Sequence, residues 1–196
     1  MRIVIIDYGA SNLRSVAKAF EKLGHAPLIS SSPIDLNSAD GVVLPGQGAA
    51  TNAMEGLRER YLLEPLSKLI RDGLPFLGVC MGLQILFDFS EEGDQECFGI
   101  LDGAVKRLPN RVKVPHIGWN QVVYENGNNP LFDKIPNNSY FYFVHSYYPA
   151  PEKSSITIAK TEYDFSFICS FKKCYPTYKL SHLNVKNKEV IKCQRH

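Results

Sequence analysis

Two short stretches of the chain hold residue types suited to covalent chemistry. Gly78-Val79-Cys80-Met81-Gly82 is a G-x-C-x-G sequence at the end of the apolar run 76–80 (FLGVC), with another apolar stretch behind it. It is the thiol counterpart of the G-x-S-x-G nucleophile elbow, where a sharp strand-to-helix turn lifts the nucleophile clear of a sheet. A side chain at the tip of so tight a turn is held in a strained backbone conformation. Glycines two residues to either side let neighbouring chain approach. A helix beginning at Met81 would aim its free N–H groups and positive end at the sulfur, lowering the thiol pKa toward a reactive thiolate. The Met81 N–H would also serve an oxyanion. Outside that setting, Cys80 reads as one more buried thiol at the end of a core strand.

The second stretch is Pro45-Gly46-Gln47-Gly48, directly after the apolar run 41–44. In a parallel sheet its loop leaves the same carboxyl edge as Cys80, where ligands bind. Glycine-rich backbone at Gly46 and Gly48 can present N–H groups to an oxyanion or a carboxylate. Alone this is a turn; opposite a nucleophile elbow it reads as an oxyanion loop.

Both stretches need a sheet to hold them, and the first 90 residues supply the pattern for one. Residues 2–7 (RIVIID) form a continuous apolar run suited to a buried parallel strand. A loop over 9–12 follows, with Ser11 as capping candidate. Leu13, Val16, Ala17, Phe20 and Leu23 then share one helix face, and Gly24 stands where a C-terminal cap belongs. Leu28 with Ile29, the run 41–44 and the run 76–80 are the next strands. Helices are expected from Met54 to about Leu63, from Pro65 onward, and over the apolar stretch 83–89. This alternation predicts βαβ units and a parallel sheet covered on both faces. Beyond about residue 95 the chain becomes strand-rich, with candidates at 105–108, 121–124, 140–148, 156–159 and 166–171. The 140–148 segment has aromatics on both parities, the mark of a strand buried on both faces.

With 196 residues, 44% hydrophobic and 21% charged, the chain has the composition of one globular domain. Lys and Arg number 22 against 20 Asp and Glu, which gives no reason to expect nucleic acid or an anionic membrane as partner. The early apolar run is too short for a signal or a span. Five cysteines without a secretion signal read as reduced thiols in a cytoplasmic protein. No residue cluster calls for a metal or cofactor. The charge is uneven, however. Residues 172–196 carry seven Lys and Arg against one Glu, leaving 15 basic and 19 acidic residues in 1–171.

LGVCMGLQ (77–84) with LPGQG (44–48) resembles the class I, triad-type glutamine amidotransferases. IDYGASNLRSV (6–16), VPHIGWNQV (114–122), YFVHSYY (142–148) and TEYDFSF (161–167) narrow the resemblance to the glutaminase subunits of imidazole glycerol phosphate synthases. It runs from residue 1 to about 173. The implied fold is α/β and flavodoxin-like, a parallel or mixed sheet with helices on both faces and a β-rich second half. The implied chemistry is attack by Cys80 on the side-chain amide of L-glutamine, giving ammonia and a thioester that water hydrolyses. The ammonia would pass to a (β/α)8-barrel cyclase subunit in a heterodimer. The resemblance assigns glutamine contacts to Gly48, Gln84, Glu92, Ser146 and Tyr147, the oxyanion site to Met81 and the 45–48 loop, and cyclase contacts to Trp119, Asn120 and Tyr142. Some of these residues have plainer roles open to them. Glu92 also reads as a solvated loop charge, His145 as a hydrogen-bonded core histidine, and His116 and Trp119 as packing beside Pro115.

The resemblance ends at the tail. The family completes its triad with a His-Pro-Glu segment, and this chain has none. Counting on without a gap places His182 near the expected base, with Leu183 and Asn184 where Pro and Glu would stand. Residues 1–173 therefore read as the amidotransferase domain and 174–196 as a divergent basic tail. Two functions follow from this: a glutaminase with His182 as base, or a docking subunit that keeps the fold but lacks a working triad.

Overall fold

A computed structural model of the chain describes residues 1–124 and 130–171. Strands β1 (Ile3–Ile6), β2 (Leu28–Ser30), β3 (Gly41–Leu44) and β4 (Phe76–Gly78) form a parallel sheet in the order β2-β1-β3-β4. Every residue of β1 and β3 is buried, as their unbroken apolar runs require. Strand parity divides the core in two. Ile3, Ile5 and Val43 face Leu13 and Ala17 of helix α1 (Leu13–Lys22). Val4, Ile6, Val42 and Leu44 face the other way, onto α2 (Ala50–Glu59) and α3 (Leu63–Arg71) through Leu57, Leu66 and Ile70. Helices thus cover both faces of the sheet, as the alternating sequence predicts.

Local signals shift in two places. The residue at the N-terminal boundary of α1 is Asn12 rather than Ser11. Asn12 takes a left-handed conformation (φ 69°), and its Oδ1 accepts from the Ser15 hydroxyl. Ser11 instead donates to Gln47 Oε1 at 2.9 Å, which ties the β1–α1 loop to the 45–48 loop.

The larger correction concerns the expected helix over 83–89. Helix α4 is a single turn, Met81–Gln84, and Phe87–Ser90 is a strand, β5. The reason is tertiary capture. Residues 97–101 return beside this segment, where Phe98 N–H donates to Ile85 O, Gly99 N–H to Phe87 O, and Ile100 and Leu101 N–H to Leu86 O. Each bond takes a carbonyl that a continuing helix would have used. Phe87-Asp88-Phe89 also alternates buried, exposed and half-buried, the period of a strand. β5 pairs parallel with β7 (Leu101–Arg107) and antiparallel with β6 (Gln95–Glu96), while β10 (Tyr147–Pro151) flanks β7.

The third sheet is antiparallel in the order β12-β11-β8-β9, built from β8 (His116–Tyr124), β9 (Ser139–His145), β11 (Thr157–Glu162) and β12 (Ser166–Phe171). Val122, Phe132, Phe143, Ala159 and Phe167 form its core. The expected single strand over 140–148 is two strands, because the chain leaves one sheet at Ser146 and enters another. Its aromatics are not buried on both faces either: Tyr140 is 61% exposed. The residues expected as a divergent tail, with His182 among them, lie outside the described residues.

Candidate active site

The elbow is built by close backbone contact. Val79 N–H donates to Leu44 O at 3.0 Å, locking the end of β4 to β3. A β-carbon on Gly82 would fall 1.7 Å from that same Leu44 oxygen, and one on Gly78 would fall 2.4 Å from Gly82 O. Only glycine fits at either position. Between them Cys80 sits at φ 55°, ψ −113°, a conformation that costs a non-glycine residue on the order of 1–3 kcal/mol. The turn is closed by Leu83 and Gln84 N–H groups donating to Cys80 O at 3.0 and 3.2 Å. Cys80 therefore has the strained backbone conformation expected at the tip of a G-x-C-x-G turn.

The electrostatics differ from the expectation. One helical turn has almost no macrodipole to offer. Cys80 is exposed, yet protein crowds its sulfur from the other sides, and this desolvation raises the thiol pKa above its ordinary value. A hydrogen bond from Met81 N–H opposes the rise, and the charge of Glu92 adds to it. The resting site thus holds a thiol, and ionisation has to be driven by a base or by bound substrate.

Glu92 is not a free loop charge. Its Oε2 accepts from Ala50 N–H, at the start of α2, at 3.2 Å, and its own N–H donates to Ser90 Oγ. Burial raises its carboxyl pKa and the Ala50 bond opposes that rise. The 45–48 loop closes another side of the site. Gly46 packs on the elbow so tightly that a β-carbon would lie 2.9 Å from Met81 Cβ, and Gly48 takes φ 87° with open space before it. The fold thus brings Cys80, Met81, Gly46 and Glu92 together.

Gln84 is buried, and its Nε2 donates to Tyr147 O at 3.3 Å, which fastens the elbow helix to β10. The same carbonyl accepts from His145 Nδ1 at 3.0 Å. A carbonyl only accepts, so His145 carries its proton on Nδ1 and its Nε2 receives the Nδ1 proton of His116 at 2.9 Å. His116 Nε2 in turn faces Asn120 Nδ2 at 3.4 Å, and Asn120 also donates to Glu162 O at 2.7 Å. Burial lowers the pKa of both histidines, that of His145 to about 4. Both nitrogens of His145 are engaged, so it is a core histidine rather than a base. His116 stacks on Tyr163 with ring centroids 3.9 Å apart, the packing role expected beside Pro115. The polar chain from Gln84 to Asn120 was not legible in the sequence, since its members are far apart in number.

Ser146 lies at the junction of β9 and β10, where its carbonyl accepts from Leu108 N–H at 2.8 Å. On the opposite side of the β8–β9 ribbon, Trp119 stands across from Tyr142 with ring centroids 5.6 Å apart. Trp119 is 62% exposed, and Ile117, Tyr140 and Val144 are exposed on the same face. Asn120 has the other parity and its amide points inward, apart from Trp119 and Tyr142.

Comparison with known proteins agrees with this geometry. The model of the family described as "Glutamine amidotransferase class-I" matches residues 4–178. The protein called "Imidazole glycerol phosphate synthase subunit HisH" in Dehalococcoides mccartyi strain CBDB1 is 47% identical over 169 residues, covering 86% of this chain and 82% of that one. Its namesake from Moorella thermoacetica is 44% identical over 172 residues, covering 87% and 81%. Among solved structures, PurLQS from Thermotoga maritima superposes with a TM-score of 0.62 at 19% identity over 84% of this chain and 76% of that one. A glutamine amidotransferase from the same organism gives 0.59 at 18%, over 83% and 67%. At that identity the structures speak for the fold alone. On the sequence relatives and the family match, this chain belongs to the class I glutamine amidotransferases and, within them, to the HisH subunits of imidazole glycerol phosphate synthase.

Proposed function

We propose that the chain is the glutaminase subunit of an imidazole glycerol phosphate synthase, supplying ammonia to a cyclase subunit in histidine biosynthesis. The observation that carries this reading is Cys80, strained at an elbow with Met81 N–H and the Gly46–Gly48 loop around it, in a chain 47% identical to a HisH subunit. The Cys80 sulfur attacks the side-chain amide carbon of L-glutamine, and the oxyanion that forms accepts from Met81 N–H and the 45–48 loop. The C–N bond then breaks and the nitrogen leaves with a proton as ammonia. Water attacks the resulting thioester, releasing glutamate and restoring the thiol. Gly48, Gln84, Glu92, Ser146 and Tyr147 surround the glutamine in this reading. His182 is the base that carries the protons in this reading. No cofactor enters the reaction.

The exposed aromatic face of the β8–β9 ribbon is the docking surface for the cyclase in this reading, with Trp119 and Tyr142 at its centre. An exposed cluster of Trp and Tyr is the composition of an interface hot spot. Asn120 acts from the inner face, its amide bonded to His116 of the same strand and to Glu162 of β11 rather than to the partner. The protein works in the cytoplasm as a heterodimer.

The test is glutamate release from glutamine by the full chain, mixed with a cyclase subunit and its nucleotide ligand. Cys80→Ser abolishes release while leaving the fold and cyclase binding intact. Trp119→Ala weakens cyclase binding by tenfold or more, on the order of 2 kcal/mol for a hot-spot aromatic, as read by titration calorimetry. Binding without release in the wild type would leave a docking subunit with no working triad.

A further inference from the structure

Tyr8, two residues beyond β1, is 5% exposed, and its hydroxyl has no hydrogen-bond partner among the described residues. A buried hydroxyl without a partner is a cost to the folded protein. The position of this one is informative. A β-carbon placed on Gly46 would fall 2.0 Å from Tyr8 Oη and 2.9 Å from Met81 Cβ. The phenol therefore ends between the oxyanion loop and the residue that follows the nucleophile. Its ring is fixed from the other side by α2, where a β-carbon on Gly56 would fall 2.3 Å from Tyr8 O and 3.2 Å from Tyr8 Cδ2. The hydroxyl lies beneath the elbow with no hydrogen-bond partner among the described residues.

We propose that the Tyr8 hydroxyl is a donor reserved for the negative charge formed at the elbow when Cys80 ionises and attacks. The inference rests on Cys80 being the nucleophile of the glutaminase reading and adds a side-chain donor to the backbone ones. In the resting thiol state there is no charge to answer, so the hydroxyl stays unpaired. Once the charge forms in this desolvated place, a fixed O–H is worth far more than a water that must reorganise. Electrostatics agree with that role. Burial and, after it, the charge of Cys80 push the phenol pKa up to about 12, so Tyr8 keeps its proton and remains a donor throughout.

The test uses the full chain as wild type and as Tyr8→Phe, which keeps the ring and removes the hydroxyl. Iodoacetamide alkylation of Cys80, followed peptide by peptide across pH, reports the ionisation of the thiol without glutamine, base or cyclase. Tyr8→Phe is expected to move the alkylation midpoint upward by about half to one pH unit, roughly three- to tenfold less thiolate at a fixed lower pH. Its thermal midpoint stays level or rises, because an unpaired buried O–H has gone. Tyr8→3-fluorotyrosine, a more acidic phenol and stronger donor, moves the alkylation midpoint the other way. In the cyclase complex, kcat for glutamate release falls in Tyr8→Phe while KM is unchanged. An unmoved alkylation midpoint in both variants overturns the proposal, and a lowered thermal midpoint beside it would make the hydroxyl a purely structural group. If the wild type releases no glutamate while the midpoints shift as stated, the glutaminase reading fails and Tyr8 keeps only its role as donor to the ionised Cys80 sulfur.

Discussion

The elbow and the β8–β9 ribbon solve opposite problems. At the elbow, backbone meets backbone: Gly78 and Gly82 have no space for a β-carbon, and Cys80 is held strained among them. On the ribbon, the outer face of two paired strands is left open, with Trp119, Ile117, Tyr140 and Val144 exposed. The first region makes its geometry unable to relax, which suits the nucleophile role proposed for Cys80. The second leaves apolar surface uncovered, which suits a face completed by another molecule. Between them runs the Gln84–Tyr147–His145–His116–Asn120 chain, bonded to the elbow helix at one end and to the inner face of the ribbon at the other.

If this contrast is right, adding one methyl group at the elbow costs more stability than removing a whole indole from the ribbon. Gly82→Ala sets a carbon 1.7 Å from Leu44 O, a backbone atom held by its bond to Val79. The expected loss is at least about 3 kcal/mol, enough to unfold much of the protein or displace β4 from β3. Trp119→Ala removes far more atoms from the ribbon's open face, yet it should change unfolding free energy by less than about 0.5 kcal/mol. Urea titration of both variants checks the pair. A mild Gly82→Ala would mean that the elbow is looser than its contacts imply.

The two regions were also unequally legible. The parallel half is local: β1, α1, β3 and the elbow each declare themselves within a dozen residues by apolar run, helical stripe or glycine spacing. What failed there was the helix over 83–89, because its carbonyls are taken by residues 97–101, a partner no periodicity announces. The fall in thiol pKa failed with it, since a one-turn helix supplies little field and crowding by the rest of the protein outweighs Met81 N–H. In the antiparallel half, the aromatics of 140–148 looked buried on both faces because sequence records parity and not what covers each side. The inner histidine pair was invisible for a related reason, as His116 and His145 become neighbours only through the register of β8 on β9.

The histidine pair offers a smaller effect with a definite sign. The pKa of His145 is lowered from 6.5 to about 4 in the folded chain by burial, by His116 and against the pull of the Tyr147 carbonyl. The unfolded chain therefore binds the proton first as pH falls. Stability from the neutral pair is complete above the unfolded pKa and is lost as pH drops through the window toward 4. Between pH 7 and pH 5 the contribution of His145 alone is about 2 kcal/mol. Denaturant titrations of the wild type and His145→Gln at the two pH values isolate it, since the variant lacks this part of the slope. Equal slopes would mean that the pair accepts a proton in place and that the ribbon is less tightly held to β10 than its bonds suggest.

The smallest effect tests the elbow on its own terms. Replacing Cys80 by alanine removes the sulfur but keeps a β-carbon at φ 55°, so the strain remains. Replacing it by glycine removes both. Glycine ordinarily destabilises by roughly 0.5–1 kcal/mol relative to alanine, because its unfolded chain has more freedom to lose. Here the relief of on the order of 1–3 kcal/mol of backbone strain outweighs that. Cys80→Gly should then be more stable than Cys80→Ala by about 1 kcal/mol, the reverse of the usual order, while both are inactive as glutaminases. Since neither variant carries the thiol, the difference between them measures backbone alone. The usual order would mean that the surrounding contacts leave Cys80 unstrained, and the elbow would then resemble the ribbon more than it differs from it.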